Sequence, residues 1–180
     1  MQFSSSILAF SLLALVASSP LPKKEKAAAT DATAAAAGGD VLTASAYNDF
    51  QISGPTAGDA ESKANALFAK IDMNNLAAVS ANDLKVIKGV HDAAEDAEVQ
   101  AFNPAIEAAS GDAATALQNG KIENKVLKLT AEVLGIQVEA AQGGDDSDLA
   151  AEQTKLAKNI KLDTAAAGQA STPVSFDATS

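Results

Sequence analysis

Hydrophobic residues beyond residue 43 recur every three or four positions, which is the spacing of an α-helix with one buried face. No long stretch alternates between hydrophobic and polar positions as a half-buried β-strand would. The pattern begins with Tyr47 and Phe50 after the polar Thr43, and it predicts a second helix that starts near Thr56. Five residues of this second helix share one face: Ala60, Ala64, Leu67, Phe68 and Ile71.

Two short motifs predict where the third helix begins and ends. Ser80 stands three residues before Asp83, which is the spacing of a variant capping box at a helix N-terminus. The helix is expected to end at Phe102, because the residue before a proline disfavours the helical conformation. Since proline suits the first turn of a new helix, a separate short helix is expected from Pro104 to Ser110.

The second half of the chain predicts one long central helix and one shorter helix after it. The long helix is expected over residues 112–142, and Gly120 is the place where it could break. The shorter helix is expected over residues 147–167 and ends at Gly168, because glycine suits the left-handed conformation that closes helices. The complete pattern predicts an all-α protein, a single-domain antiparallel bundle of about five helices.

The bundle is expected to span residues 43–168 and to be followed by a C-terminal tail, residues 169–180. Residues 1–19 have the layout of a secretory signal peptide, with an uninterrupted apolar run and then small residues. That run is too short for a membrane span of about 20 residues. Residues 20–42 are rich in alanine and threonine and predict a flexible, disordered leader. The mature protein is therefore expected to be secreted, extracellular or associated with a cell wall, and not inserted into a membrane.

Composition narrows the range of partners. The formal net charge is −10, and all 13 basic residues are lysines, so the chain has no arginine for bidentate contacts with phosphate. The lysines form no dense patch along the sequence, and neither nucleic acid nor an anionic membrane is expected as a partner. The chain has no cysteine, so its core has to hold without disulfide bonds.

The one histidine of the chain, His91, lies among acidic residues and is the first candidate for chemistry. It lies on the same side of a helix as Glu98 and four residues before Glu95, and these three are the candidate metal ligands. A zinc motif on a helix needs a second histidine, and a di-iron bundle needs two Glu-x-x-His motifs. A structural imidazole at the edge of the core is therefore favoured, and no metal or cofactor is expected.

Other catalytic arrangements lack essential residues. There is no cysteine for a thiol nucleophile and no Gly-x-Ser-x-Gly turn for a serine nucleophile. Acidic side chains are present, but carboxylates alone do not indicate glycoside hydrolysis in a small alanine-rich bundle. The sequence therefore predicts that the protein is not an enzyme.

The central helix carries a broad apolar face, which leaves two interpretations open. Its members are Ile122, Val126, Leu129, Val133 and Ile136. Such a face packs against more than one neighbouring helix, and it then fills the centre of the bundle. Alternatively, the same face binds an apolar ligand, such as a lipid, between helices. The second interpretation predicts an extracellular carrier.

Three stretches of the chain resemble a family of small, cysteine-free secreted proteins of filamentous ascomycete fungi. They are "YNDFQISGPTAGDAESKANALFAKIDMNNLAAVSANDLKVIKGVHDAAEDAEVQAFNPAIEAASG" at residues 47–111, "GKIENKVLKLTAEVLGIQVEAAQGGD" at residues 120–145 and "AAAGQASTPVSFDA" at residues 165–178. The resemblance brings no catalytic residues to this chain. It implies an extracellular candidate effector, a non-enzymatic protein that acts at the fungal cell wall or the host interface by binding a protein or wall component.

Overall fold

The structure, a computed structural model of the chain, describes residues 38–180, and α-helices account for most of them. The six α-helices of residues 38–180 are α1 (Tyr47–Phe50), α2 (Ala60–Leu67), α3 (Ala81–Ala97), α4 (Asn103–Ala108), α5 (Gly111–Ala141) and α6 (Leu149–Ala165). A 3₁₀ turn at Leu76–Ala78 precedes α3, and a π-helical segment at Glu98–Phe102 joins α3 to α4. Apart from two isolated β-bridges, the described residues form no strand. The prediction of an all-α bundle of about five helices is confirmed.

The bundle is organised around α5, which packs most extensively against α3 and α6 and also contacts α2. Side chains that meet across α3 and α5 do so in opposite order along the two helices, because Glu95 contacts Lys128 whereas Lys88 contacts Glu139. The two helices are therefore antiparallel, and a short loop reverses the chain again before α6. The largest fully buried apolar side chains lie around α5: Tyr47, Phe102, Ile87, Leu127, Val126 and Val138.

Ser80 caps α3 as predicted, since its hydroxyl accepts a hydrogen bond of 3.0 Å from the backbone N–H of Asp83. The Asp83 carboxylate, however, does not complete the capping box by accepting from the backbone N–H of Ser80. It accepts hydrogen bonds of 2.7–3.1 Å from the backbone N–H groups of residues 41–42, and Asp40 accepts one from the Ser80 hydroxyl. Residues 38–42, the last part of the predicted disordered leader, are therefore held against the start of α3.

The predicted signal peptide, residues 1–19, and the rest of the predicted leader, residues 20–37, lie outside the described residues. Within the part of the chain that is described, no helix is both long enough and apolar enough to cross a membrane.

Two predicted helix boundaries change in the structure. The chain keeps a helical path from α3 into α4, because the π-helical segment lets the Asn103 N–H donate to the Glu98 carbonyl and places Pro104 in the first turn of α4. A wide turn of this kind makes room for the proline ring and needs no N–H from it. Gly120, the predicted break, lies inside an uninterrupted α5.

The predicted C-terminal tail, residues 169–180, lies on the bundle as an extended segment that we call the strap. Its Thr172 N–H donates to the Ala116 carbonyl at 3.0 Å, and its Ala178 carbonyl accepts from the N–H of Tyr47 at 2.9 Å. The strap passes so close to α5 that a Cβ atom at Gly120 would lie 2.1 Å from the Thr172 carbonyl oxygen. Glycine at position 120 therefore serves the docking of the strap.

Candidate functional site

A groove of about 560 Å³ lies between α3, α5 and α6, and five lysines line it. We call it the central groove. Its lysines are Lys121, Lys125 and Lys128 on α5 and Lys155 and Lys158 on α6. The remaining lining is mixed, with acidic and amide side chains and with apolar contacts from Ile122, Leu129 and Leu162.

The central groove corrects the expectation that the lysines form no dense patch. The three lysines of α5 are spaced four and three residues apart, so they share one helix face, and the two lysines of α6 are three apart. The two sets are distant in the chain, and only the packing of α6 on α5 brings them to one groove. This site was not predicted from the sequence, although the spacing of the lysines within each helix indicated that they share a face.

Glu98 holds the lysines of α5 in place. Its carboxylate accepts hydrogen bonds of 2.8 Å from both Lys125 and Lys128, and the Lys121 ammonium lies 3.8 Å away. Lys128 also contacts Glu95. The side chains of Glu98 and Lys128 are only 11% and 12% exposed, so the cluster is largely removed from solvent. The lysines therefore have defined positions at the groove.

Burial and charge act in opposite directions on this cluster. Burial raises the pKa of Glu98, but the hydrogen bonds and positive charges of Lys125 and Lys128 outweigh it, so the pKa lies below its usual value. Burial lowers the pKa of Lys128, but the hydrogen bonds and charges of Glu95 and Glu98 outweigh it, so that pKa is raised. Both side chains are therefore charged at neutral pH.

We expect Glu98→Gln to lower the free energy of unfolding by about 1–3 kcal/mol at neutral pH, because the lysines lose their shared anion. Since the pKa of Glu98 is lower in the folded state, its contribution is present above the unfolded value of about 4.3 and is lost as the pH falls through the folded value. Urea unfolding followed by circular dichroism should therefore show a smaller loss of stability in acid for the variant. Asp96→Asn, an exposed change two residues away near the end of α3, is the control. Identical acid profiles for Glu98→Gln and the unchanged protein would contradict the assignment.

Each of the three candidate metal ligands contacts other side chains of the protein. His91 is 28% exposed, with Nδ1 3.0 Å from the Asp92 carboxylate and Nε2 3.4 Å from the Glu132 carboxylate. Glu95 and Glu98 both contact Lys128. Within residues 38–180, no group of three or more histidine, cysteine or acidic side chains has the geometry to hold a metal ion.

The predicted apolar-ligand face does not line one cavity. Ile122 and Leu129 line the central groove, whereas Val133 and Ile136 line two other clefts and Val126 is fully buried. The helices packed against α5 therefore separate the residues of this face into different cavities and the core.

The cleft at Val133, which we call the apolar cleft, has a volume of about 270 Å³ and lies between α5, α6 and the segment that follows α2. Its larger apolar side chains are Phe68, Ile71, Met73, Val133, Leu134 and Leu156. Met73 is 56% exposed at its edge. The apolar cleft is therefore the described place that best suits an apolar ligand.

A buried carboxylate on α5, Glu123, lies outside both of these cavities. It is fully buried and accepts hydrogen bonds from the Ser171 hydroxyl, from the Gly54 N–H at 3.0 Å and from the Lys63 ammonium at 3.4 Å. Burial raises its pKa by more than these hydrogen bonds and the Lys63 charge lower it. Glu123 therefore joins the strap and the segment before α2 to the centre of the bundle.

The fold and the groove define the chain as a small helical-bundle protein with a cationic groove. The family model of a domain of unknown function, DUF8454, matches residues 42–175, so the chain belongs to the DUF8454 family. The match includes all three walls of the central groove and the first part of the strap. No curated protein and no solved structure matches the chain.

Proposed function

We propose that the protein is a secreted, non-enzymatic interaction protein that acts at the fungal cell wall or the host interface, where it binds its partner through the central groove. Export is supported by the apolar run and small residues within residues 1–19. The resemblance to small secreted fungal proteins points to the same location. The central groove is taken as the binding surface because of its charge.

Positive charge is concentrated in the central groove of an otherwise acidic protein. The chain has 23 acidic residues and 13 lysines, yet five lysines line the groove together with Glu95, Glu132 and Glu152. A concave surface whose charge is opposite to that of the rest of the molecule attracts a complementary partner and orients it. Leu162, which is 44% exposed, adds an apolar contact. This mixture of charged and apolar groups suits recognition of a macromolecular surface.

A sedimentation experiment with isolated cell walls tests the proposal. The full chain is expressed in a filamentous fungus, and mass spectrometry of the protein in the culture fluid should find a mature N-terminus close to residue 20. The purified protein should sediment with fungal or host cell walls at low salt. The double variant Lys155→Glu/Lys158→Glu should bind at least about tenfold more weakly, because it places like charge against the partner.

The matched control is Lys70→Glu/Lys161→Glu, which changes the net charge equally at exposed lysines outside the groove. It should sediment like the unchanged protein. Retention of the protein inside the cells, or no sedimentation with either kind of wall, would contradict the proposed function. An equal loss with both double variants would contradict the assignment of the groove.

A second candidate function, an extracellular carrier of a lipid or another apolar ligand, is favoured by the apolar cleft. The cleft is smaller than the roughly 300–1,000 Å³ of usual small-molecule sites, so an acyl chain would remain partly exposed. Native mass spectrometry of protein purified from culture fluid separates the two functions. The bare mass of the processed chain supports the interaction protein, and a co-purifying fatty acid or sterol supports the carrier.

A further inference from the structure

We propose that the strap presents a free strand edge, to which an extended segment of a protein partner adds as one further strand. The edge consists of the backbone groups of Asp177 and Thr179, and a groove between the strap and α3 receives the added segment. This groove shares no lining residue with the central groove. It is therefore a second binding surface, independent of the one that the proposed function uses.

The backbone groups of the strap point alternately to two edges. Three residues of the strap bond to residues 45–48 through their backbone: Phe176 to the Asn48 side chain, Ala178 to the Tyr47 N–H and Ser180 to the Ser45 carbonyl, all at 2.9–3.1 Å. Successive residues of an extended chain point their N–H and C=O groups to opposite edges. The backbone groups of the two residues in between, Asp177 and Thr179, therefore point away from residues 45–48.

The pairing geometry at Thr179 gives the same orientation. Ala46 and Thr179 form an isolated antiparallel bridge, in which the hydrogen bonds join their chain neighbours and not the two residues themselves. In such a pair the N–H and C=O groups face outward. Within residues 38–180, the backbone groups of Asp177 and Thr179 have no hydrogen-bond partner, and both residues are exposed. An unpaired edge of this kind is a template for strand addition by another chain.

The fold holds this edge in place before any partner binds. Thr172, near the start of the strap, bonds to α5, where Gly120 leaves room for it. Ser180 lies against α3, and a Cβ atom at Gly89 would lie 2.2 Å from the main-chain carbonyl carbon of Ser180. Glycine destabilises a helix interior, so glycine at position 89 serves the docking of the strap. Because the edge is ordered in advance, a partner binds it without the entropic cost of ordering it.

A groove of about 520 Å³ lies beside this edge, and we call it the strap groove. Thr179 and Ser180 line it on the strap, and Leu84, Lys85 and Lys88 line it on α3. Lys85 is exposed, and no carboxylate of residues 38–180 lies within 4.0 Å of its ammonium group, whereas Lys88 contacts Glu139 at 2.5 Å. Leu84 is half-buried and offers an apolar contact. An extended segment with aliphatic and acidic side chains on its inward face complements both residues.

Fluorescence anisotropy with labelled synthetic peptides tests the proposal. The parent peptide has about eight residues, with valine and glutamate on one face of the extended chain and threonine on the other. Two further peptides carry N-methyl groups on one or the other set of alternate residues, so each loses the N–H donors of one edge and keeps its side chains. One of them should bind at least about tenfold more weakly than the parent, because only one peptide edge pairs with the strap. The other should bind like the parent.

Hydrogen exchange measured by NMR locates the added strand. The amide N–H groups of Asp177 and Thr179 should exchange at least about tenfold more slowly when the parent peptide is bound, because they gain acceptors. The Ser180 N–H already donates to the Ser45 carbonyl and should change less.

Variants of the strap and of α3 test the two sides of the site. Thr179→Pro removes one donor of the edge and should weaken binding, since proline is tolerated where a strand N–H faces solvent. Thr179→Val keeps that donor and should bind like the unchanged protein. Lys85→Glu should weaken binding, and Lys161→Glu, an equal change of charge outside the strap groove, should not. Thermal unfolding of each variant verifies that it is folded.

Three results would overturn the proposal: no binding of the parent peptide, equal effects of the two N-methylations, or unchanged exchange at Asp177 and Thr179 on binding. Slow exchange at these amides in the peptide-free protein, together with the mass of a dimer, would assign the edge to a second copy of the chain and overturn the peptide as its occupant. Lys155→Glu/Lys158→Glu should bind the parent peptide normally. Failure of the central groove in cell-wall sedimentation is therefore distinguishable from failure of the strand edge.

Discussion

Gly120→Ala should lower the free energy of unfolding by about 2–3 kcal/mol, although alanine is the better helix former. The added Cβ would lie 2.1 Å from the Thr172 carbonyl oxygen and 3.2 Å from the Phe102 ring. Thr172 cannot turn aside as a flexible side chain would, because the contact is with its backbone and its N–H donates to the Ala116 carbonyl. Either the strap leaves α5 and loses that hydrogen bond, or the helix shifts within the core.

Gly135→Ala is the matched control, because Gly135 is also a buried glycine inside α5. A Cβ at this position would meet only the Ile87 side chain, at 3.8 Å, which is an ordinary contact. This variant should keep its stability or gain about 0.5–1 kcal/mol from helix propensity. Urea unfolding gives both values, and limited proteolysis reports whether the strap is released. Equal effects of the two substitutions would show that helix propensity, and not docking of the strap, governs position 120.

Structural features that depend on residues close together in the chain could be predicted from the sequence. Ser80 caps α3 because its partner is only three residues away, and the helical periodicity placed the long helix that became α5. The start of α2 could not be predicted from the sequence. The helix begins at Ala60 and not near Thr56, because the Asp163 carboxylate on α6 accepts from the N–H groups of Gly58 and Ala60. This contact depends on the packing of distant segments.

The candidate site was less predictable because it depends on the register between helices. The sequence directed attention to His91, since a single histidine among acidic residues stands out. The lysine rows of α5 and α6 were equally visible, but nothing in the sequence shows that α6 packs with its lysines beside those of α5. In the same way, Asn124 lies beside the apolar stripe and is fully buried, because the Tyr47 hydroxyl donates to its side chain and it donates to the Ala94 carbonyl. Buried polar residues of this kind are understood only from their partners.

Glu123→Ala should lower the free energy of unfolding by about 1–3 kcal/mol, because it leaves the buried donors that share this carboxyl group without an acceptor. The Lys63 ammonium, the Ser171 hydroxyl and the Gly54 N–H all donate to this carboxylate, and alanine would leave them without it. Lys63 retains Asp59 as a partner at 2.7 Å, so the strap and the segment at Gly54 should be loosened most. Urea unfolding measures the loss, and hydrogen exchange of the residues 171–180 locates it. A loss below about 1 kcal/mol would contradict this account of Glu123.

Glu123→Gln separates the charge of this residue from its hydrogen bonds, because the amide oxygen can still accept from Ser171 and Gly54. Since the pKa of Glu123 is raised in the folded state, its contribution to stability is complete below the unfolded value of about 4.3 and is lost as the pH rises through the folded value. The free energy of unfolding of the unchanged protein should therefore fall relative to that of Glu123→Gln as the pH increases. This difference has the opposite sign to the one expected for Glu98→Gln, so the two glutamates of neighbouring helices serve as controls for each other. A difference in free energy of unfolding between the unchanged protein and Glu123→Gln that stays constant as the pH rises would contradict this account. It would mean that Glu123 titrates alike in the folded and unfolded chain, so that burial does not govern its charge.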